Sequence, residues 1–265
     1  MTNSSDQDSG KTQPNQQGPG GPSIVTAAVL VIGDEILSGR TKDQNIHHIA
    51  NYLNEIGINL LEVRIIPDNT DAIVEAVNAL RKRVSYVFTT GGIGPTHDDI
   101  TADAIAKAFN LGIDVDERAL NLMRPHYERR GLQLTQSRLR MARIPHGATL
   151  LENRISIAPG FMVDNVIVMA GVPKIMQVML DDAAQYLKTG HKMLSRSLKI
   201  KTPEGEIADL FAKHQANYPD VAMGSYPSFA DGRLSCELVL RSIDAQRLDT
   251  AYEALRESLA AEGIS

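Results

Sequence analysis

Residues 89–101 read TTGGIGPTHDDIT, which sets three glycines, four threonines, a histidine and two adjacent aspartates between an apolar run and a helical pattern. Glycines 91, 92 and 94 free the backbone to approach a ligand, and a helix beginning just beyond them aims unpaired N–H groups and a positive partial charge at it. Those donors suit a phosphate. A P-loop would carry a Lys-Ser/Thr pair here, and a dinucleotide-fold loop a third glycine where His97 stands, so neither common fingerprint is matched. Asp98 and Asp99 would repel a bare phosphate. A divalent cation bridging them to a diphosphate resolves that conflict, and oxygen ligands select Mg²⁺ or Mn²⁺. The competing reading is a tight turn in which an aspartate only caps the helix.

A loop of this kind needs elements to hold it. AAVLVIG (27–33) is a continuous apolar run ending in glycine, the pattern of a strand buried on both faces, and DQNIHHIANYLNEIG follows with Ile46, Ile49, Ala50, Leu53 and Ile56 at helical spacing. The unit repeats. INLLEVRIIPD reads as a strand, NTDAIVEAVNALRKRV as a helix opened by Asn69 or Thr70, SYVFTTGG as a strand, and DDITADAIAKAFN as a helix with acids in its first turn. Such alternation predicts a parallel sheet covered on both faces by helices, with ligands at the carboxyl ends of its strands. The glycine stretch falls on that edge. So do Asp34, Glu35, Asp43 and Asn45 after the first strand and Asp68 after the second.

ATLLEN and APGFMVDNVIVMAGVP add two or three strands with a turn at Asp164-Asn165, and a helix starts with Pro173 at its first position. From about residue 195 the pattern becomes strand, helix, strand, strand, helix, with a hairpin turn at Asp231-Gly232, so a small α+β domain is expected over 195–265. KTGHKM (188–193) is the expected linker, and 23–190 the larger domain. Residues 1–22 hold no Leu, Ile, Val or aromatic residue and are expected to form a disordered tail without a secretory signal.

Composition excludes several classes. The 265 residues are 43% hydrophobic and 22% charged with a formal net charge of −5, which disfavours general binding to nucleic acid or to an anionic membrane. A single cysteine, Cys236, rules out an intramolecular disulfide framework and a thiolate zinc cluster and fits a reducing compartment, so a cytoplasmic protein is expected. No apolar run approaches the roughly 20 residues that span a bilayer.

The motifs GDEILSGRTKDQN, PDN, TGGIGPTHDDIT, APGF and AGVP, in this order, resemble the molybdopterin-binding fold family of MoaB and Mog, most closely the N-terminal domain of competence/damage-inducible protein A (CinA) and the corresponding domain of eukaryotic FAD synthetase. The resemblance covers about residues 25–190, and the C-terminal part is similar to the KH-like, ferredoxin-like domain that follows in CinA. It implies a three-layer α/β sandwich and a site built from Gly91, Gly92, Gly94, Thr96, Asp99 and Thr101, with Asp68 from the second loop. The matching motifs extend the expected ligand-binding set to Gly33, Asn45, Gly171 and Pro173. The resemblance further implies a homo-oligomer and metal-dependent pyrophosphatase activity, with Mg²⁺, Mn²⁺ or Co²⁺, on nucleotide diphosphates such as ADP-ribose or FAD. Asp99, with Asp68 or Glu35 across the cleft, is the expected catalytic and metal-holding set, with Asp98 as second choice for the metal. The alternative is a module that binds molybdopterin or a nucleotide without turning it over.

Two departures touch the ligand backbone: the family's Pro-Gly-x-Pro is Ala170-Gly171-Val172-Pro173 here, and its glycine before APGF is replaced by Ser156-Ile157. The CinA amidohydrolase activity on nicotinamide mononucleotide is not expected from this sequence. Residues 118–143 hold seven arginines against one acid, Glu128, read as a solvated helical face or as a phosphate or subunit contact. His47 and His48 point in different directions on their helix, His97 reads equally as a turn residue or as a ligand or general base, and Met169, Met176 and Met179 read as core fillers.

Overall fold

The computed structural model describes residues 24–230 and 233–264, so the expected tail at 1–22 and the Asp231-Gly232 turn lie outside the described residues. Strand β1 (Val25–Ile32) is buried at all positions but one, which its unbroken apolar sequence requires. After the short α1 (Asp34–Leu37), α2 (Asn45–Glu55) turns Ile49 and Leu53 wholly inward, each worth about 1.5–3 kcal/mol of burial. Next come β2 (Ile58–Ile66), α3 (Thr70–Leu80) and β3 (Tyr86–Thr90). Asn69 caps α3, its side chain accepting from the amides of Asp71 and Ala72.

Helix α4 (Thr101–Phe109) begins later than its sequence suggested, so Asp98 and Asp99 sit in the preceding turn and only Asp103 occupies the first helical turn. The chain then makes β4 (Ile113–Val115), α5 (Glu117–Arg129), α6 (Gln136–Leu139) and β5 (Arg143–Pro145), with β4 and β5 pairing as a separate ribbon that sequence periodicity did not reveal. Strands β6 (Thr149–Leu151), β7 (Gly160–Val163) and β8 (Val166–Met169) lead to α7 (Pro173–Ala183), which has Pro173 at its first position.

The main sheet runs β2-β1-β3-β8-β7-β6. Its first four strands are parallel; β7 and β6 are antiparallel additions joined through the Asp164-Asn165 turn. One face packs on α3, α4 and α5 through Ile73, Val77, Ile105 and Met123; the other packs on α2 and α7 through Leu53, Met176, Met179 and Leu180. This is the expected three-layer α/β sandwich. Pairing of β1 with β2 contains a bulge: Ala27 faces Leu60 but Ala28 faces Glu62, leaving Leu61 as an extra residue that is 64% exposed.

The remaining chain forms β9 (Leu194–Ile200), α8 (Glu204–Asn217), β10 (Ala222–Ala230), β11 (Arg233–Ser242) and α9 (Ala245–Ala261), an antiparallel sheet of order β10-β11-β9 with its own apolar core. Cys236 is buried in that core, and burial raises its thiol pKa. The segment between the two sheets lies against the larger domain: the Lys188 amide donates to the Tyr86 hydroxyl at 2.7 Å, and Lys192 pairs with Glu55 at 2.6 Å. Among the described residues no helix is long and apolar enough to cross a membrane.

Candidate functional site

Strand β3 ends at Thr90, and the chain reverses through Gly91 (φ 103°) and Gly92 (φ 67°), a left-handed pair that only glycine adopts cheaply. The turn is fastened on both sides. The Gly91 amide donates to Met169 O at 3.1 Å, the Thr101 amide to Gly92 O at 2.9 Å, and the buried Thr101 hydroxyl to Gly91 O at 2.9 Å. A Cβ on Gly91 would stand 2.1 Å from Ile32 O, and one on Gly92 2.2 Å from Thr101 Oγ1. Both glycines are therefore demanded by the protein's own packing, and the space a ligand would need is not what a side chain at Gly92 would fill. The amides of Gly92, Ile93 and Gly94 donate to no protein acceptor among the described residues, and these three residues line an open cleft of about 560 Å³.

Other expected residues meet in that cleft: Glu35, Asp99, Gly171 and Pro173 line it, beside an apolar wall that includes Met141, Val172 and Ile175. Gly171 packs on Gly91, where an added Cβ would come within 3.3 Å of the Gly91 Cα. Gly33 is extended; its amide donates to Ile66 O at 3.1 Å, and its bare face carries the Glu35 carboxylate. Asn45 begins α2 at 4% exposure and donates from Nδ2 to Gly171 O at 2.8 Å.

Asp99 is partly committed. Its Oδ2 accepts from the Thr96 amide at 2.8 Å and the Thr96 hydroxyl at 2.6 Å, while its carbonyl accepts from Arg140 at 3.2 Å. Thr96 and Thr101 thus spend their hydroxyls on the loop itself. Asp68, at the end of β2, accepts from the Asp34 amide at 2.9 Å. Burial, and then the charges of Asp34, Glu35 and Asp98, raise its pKa above the ordinary carboxylate range. His97 is 98% exposed, touching only Asp98 at 4.0 Å. Among the described residues no three His, Cys, Asp or Glu side chains stand close enough to hold a metal ion by themselves.

The loop before β7 carries residues that sequence reasoning passed over. Ile157 has φ 72°, a conformation costly for a β-branched side chain. Asn153, 2% exposed, holds it there: Oδ1 accepts from the amides of Ile155 and Ser156, and Nδ2 donates to Ser156 Oγ and Ala158 O. Ser156 and Ala158 form part of the cleft wall. An Asn followed closely by Ser was the available signal, since Asn side chains bond backbone amides two and three residues on.

Of the arginines in 118–143, Arg118 pairs with Asp116 and Arg143 with Asp103, while Arg129, Arg138 and Arg140 donate to main-chain carbonyls. The segment is therefore less a free basic face than a strap, and Arg140 ties it to the turn that carries Asp99.

Comparison with known proteins agrees with this architecture. Residues 28–189 match the family described as probable molybdopterin binding domain, and residues 192–265 match FAD synthase, middle domain. A protein of Caldivirga maquilingensis is 37% identical over 166 residues, which are 61% of this chain and 65% of its own length. One of Aeropyrum pernix is 32% identical over 244 residues, covering 89% of this chain and 90% of its own. Among solved structures, the protein CinA with unknown function from Thermoplasma acidophilum aligns with a TM-score of 0.57 at 33% identity, covering 62% of this chain and 98% of that one.

Proposed function

This chain belongs to the molybdopterin-binding domain family, and from that premise we propose that it is a divalent-metal-dependent pyrophosphatase acting on nucleotide diphosphates of the ADP-ribose or FAD type. The observation that carries the proposal is the pairing of unpartnered amides at Gly92, Ile93 and Gly94 with the acids Glu35 and Asp99 in the lining of one cleft. Amides alone recognise phosphate oxygens. Acids alone would repel them.

The residues fit a cation that keeps most of its shell in water and substrate. Mg²⁺ typically takes one or two carboxylates plus phosphate oxygens, and a site with fewer than three clustered ligands suits that habit. Asp68, with Asp98 or Glu35, would hold the ion, and Asp99 keeps one carboxylate oxygen free of protein donors for the same purpose. Once bound, the cation would draw charge from the bridging oxygen. The chain's own residues do the rest: the glycine turn fixes the phosphates, Thr96 holds Asp99 in place, and the apolar wall of Met141, Val172 and Ile175 excludes water beside a ring.

Purified protein is to be tested with ADP-ribose, FAD and molybdopterin, each with Mg²⁺, Mn²⁺ or Co²⁺ and after metal removal. Metal-dependent hydrolysis of one of the two dinucleotides is expected, and Asp68→Asn and Asp99→Asn should each cut turnover by roughly 100-fold or more, as the loss of one transition-state stabiliser does. Wild-type turnover in both variants would reject the assignment. The second reading is a module that binds molybdopterin or a nucleotide without hydrolysis. Binding of any of these without turnover under all metals would decide for it. We also assign the protein to the cytoplasm and to a homo-oligomer, for which light scattering should report a dimer or larger.

A further inference from the structure

Strand β2 is the outer strand of the main sheet: among the described residues it pairs with β1 on one side and with no strand on the other. Its free edge is a row of main-chain donors and acceptors open to another chain, and native sheets blunt such edges by shortness, proline, lysine or a bulge. β2 runs nine residues and has the bulge at Leu61, but the stretch beyond it, Glu62-Val63-Arg64-Ile65-Ile66, holds no proline and no net charge. An apolar stripe runs along it. Leu61, Val63 and Ile65 alternate on the α2 face and are 64%, 37% and 40% exposed, while Glu62 and Arg64 face the other way and pair with each other at 2.5 Å. The smaller sheet stands across a cavity of about 670 Å³ from Ile58 to Leu61, so the room for a partner lies at residues 61–65.

The order of residue types says what that partner is. Two copies of one edge strand, related by a twofold axis through the sheet, run antiparallel, and residues equally far from the axis stand opposite each other on the same face. With the axis at Val63, Leu61 meets the partner's Ile65 and Glu62 meets the partner's Arg64, each contact made twice. Moving the axis one residue either way sets Glu62 or Arg64 against itself, and like charges directly opposite destabilise a pair. Val63 is thus the centre that satisfies both faces. A strand from an unrelated protein would require no such symmetry in β2.

We propose that β2 is a homodimer interface, at which two copies of this chain pair antiparallel about Val63 and join their main sheets into one. The inference rests on the homo-oligomer assigned above and gives it a defined surface. The apolar stripes of the two copies then cover each other on the α2 face, and the Glu62 and Arg64 pairs close the opposite face.

The test uses the full chain and places single thiols along β2. Under oxidant, Val63→Cys should yield mostly a covalent dimer on a non-reducing gel, because opposed Cα atoms lie about 4.5–5.5 Å apart, within the span of a disulfide. Ile65→Cys should not, since its two copies stand four residues apart along the strand, about 13 Å. Cys236 is buried and leaves the background clear. Charge supplies the second arm. Arg64→Glu and Glu62→Arg should each dimerise at least about tenfold more weakly than wild type by light scattering while keeping its circular dichroism spectrum. Mixed in equal amounts, the two variants should recover the dimer, because every charge then meets its opposite. Cross-linking of Ile65→Cys as readily as Val63→Cys, or failure of the mixture to associate, overturns the pairing about Val63. An oligomer indifferent to Arg64→Glu and not cross-linked by Val63→Cys overturns the β2 interface and leaves the homo-oligomer standing, whereas a wild-type monomer at micromolar concentration removes both.

Discussion

Replacing Gly92 by alanine tests whether the turn is shaped by the protein or by its ligand. A Cβ at φ 67° costs about 1–2 kcal/mol for the left-handed backbone. It also stands 2.2 Å from Thr101 Oγ1, so the hydroxyl must leave its bond to Gly91 O, and a buried carbonyl without a partner adds roughly 1–3 kcal/mol. The variant should thus lose about 2–5 kcal/mol, a fall in Tm on the order of 10 °C for a domain of this size. Thr101→Ala alone forfeits the same hydrogen bond. In the double variant that loss is suffered once, so urea denaturation should give a combined cost smaller than the sum of the singles by about 1–3 kcal/mol. Additive single costs, or an undisturbed Gly92→Ala, would refute the idea that Thr101 is what Gly92 must accommodate.

Asp68 should show its burial in the pH dependence of stability. Its pKa is raised in the folded state, so the fold holds that proton to higher pH than the unfolded chain, and stability falls as pH climbs from the ordinary carboxylate range through the raised value. Asp68→Asn removes this loss; without added metal the variant should melt slightly above wild type at neutral pH, by well under 1 kcal/mol because the side chain is solvent-screened. Added Mg²⁺ should then raise the Tm of wild type and leave the variant unmoved, as thermal melts with and without chelator would show. Asn153→Ala should cost roughly 2–4 kcal/mol by deleting four hydrogen bonds, and limited proteolysis should then cut near Arg154. Thr96→Val should leave the Asp99 carboxylate held by the residue-96 amide alone and raise KM for a metal-bound diphosphate more than it lowers kcat.

What the sequence made legible was whatever it wrote in long patterns. The apolar run of β1, the helical spacing of Ile49 and Leu53, the cap at Asn69 and the proline opening α7 each announce an element, and their alternation carries the glycine turn to the carboxyl edge of a parallel sheet. Strands β4 and β5 are three residues each, too short to show a period. The acids of DDIT read as the first turn of a helix because charge there is favourable, yet the turn closed by Thr96 and Asp99 delays the helix to Thr101. That delay leaves both aspartates in the turn, with Asp99 bonded back to Thr96 on its own loop. Asn153 escaped notice because all four partners of its side chain lie within five residues of it, so its one signal is a short Asn-to-Ser spacing with no period. Orphaned atoms such as Asn45 Oδ1 are visible only once neighbours are placed.

The extra residue at Leu61 works as a length gauge for the chain that follows it. Upstream of it, Ile58 and Leu60 face the α2 and α7 layer; downstream, Glu62 pairs with Ala28 and Ile66 with Ile32 on the α3 and α4 side. Take Leu61 out, and every later residue of β2 is pulled back by one pleat, about 3.3 Å, and turned over. Asp68 travels with them. Its bond to the Asp34 amide could not survive that shift, so the placement of the Asp68 carboxylate against the start of α1 is set seven residues earlier, at Leu61.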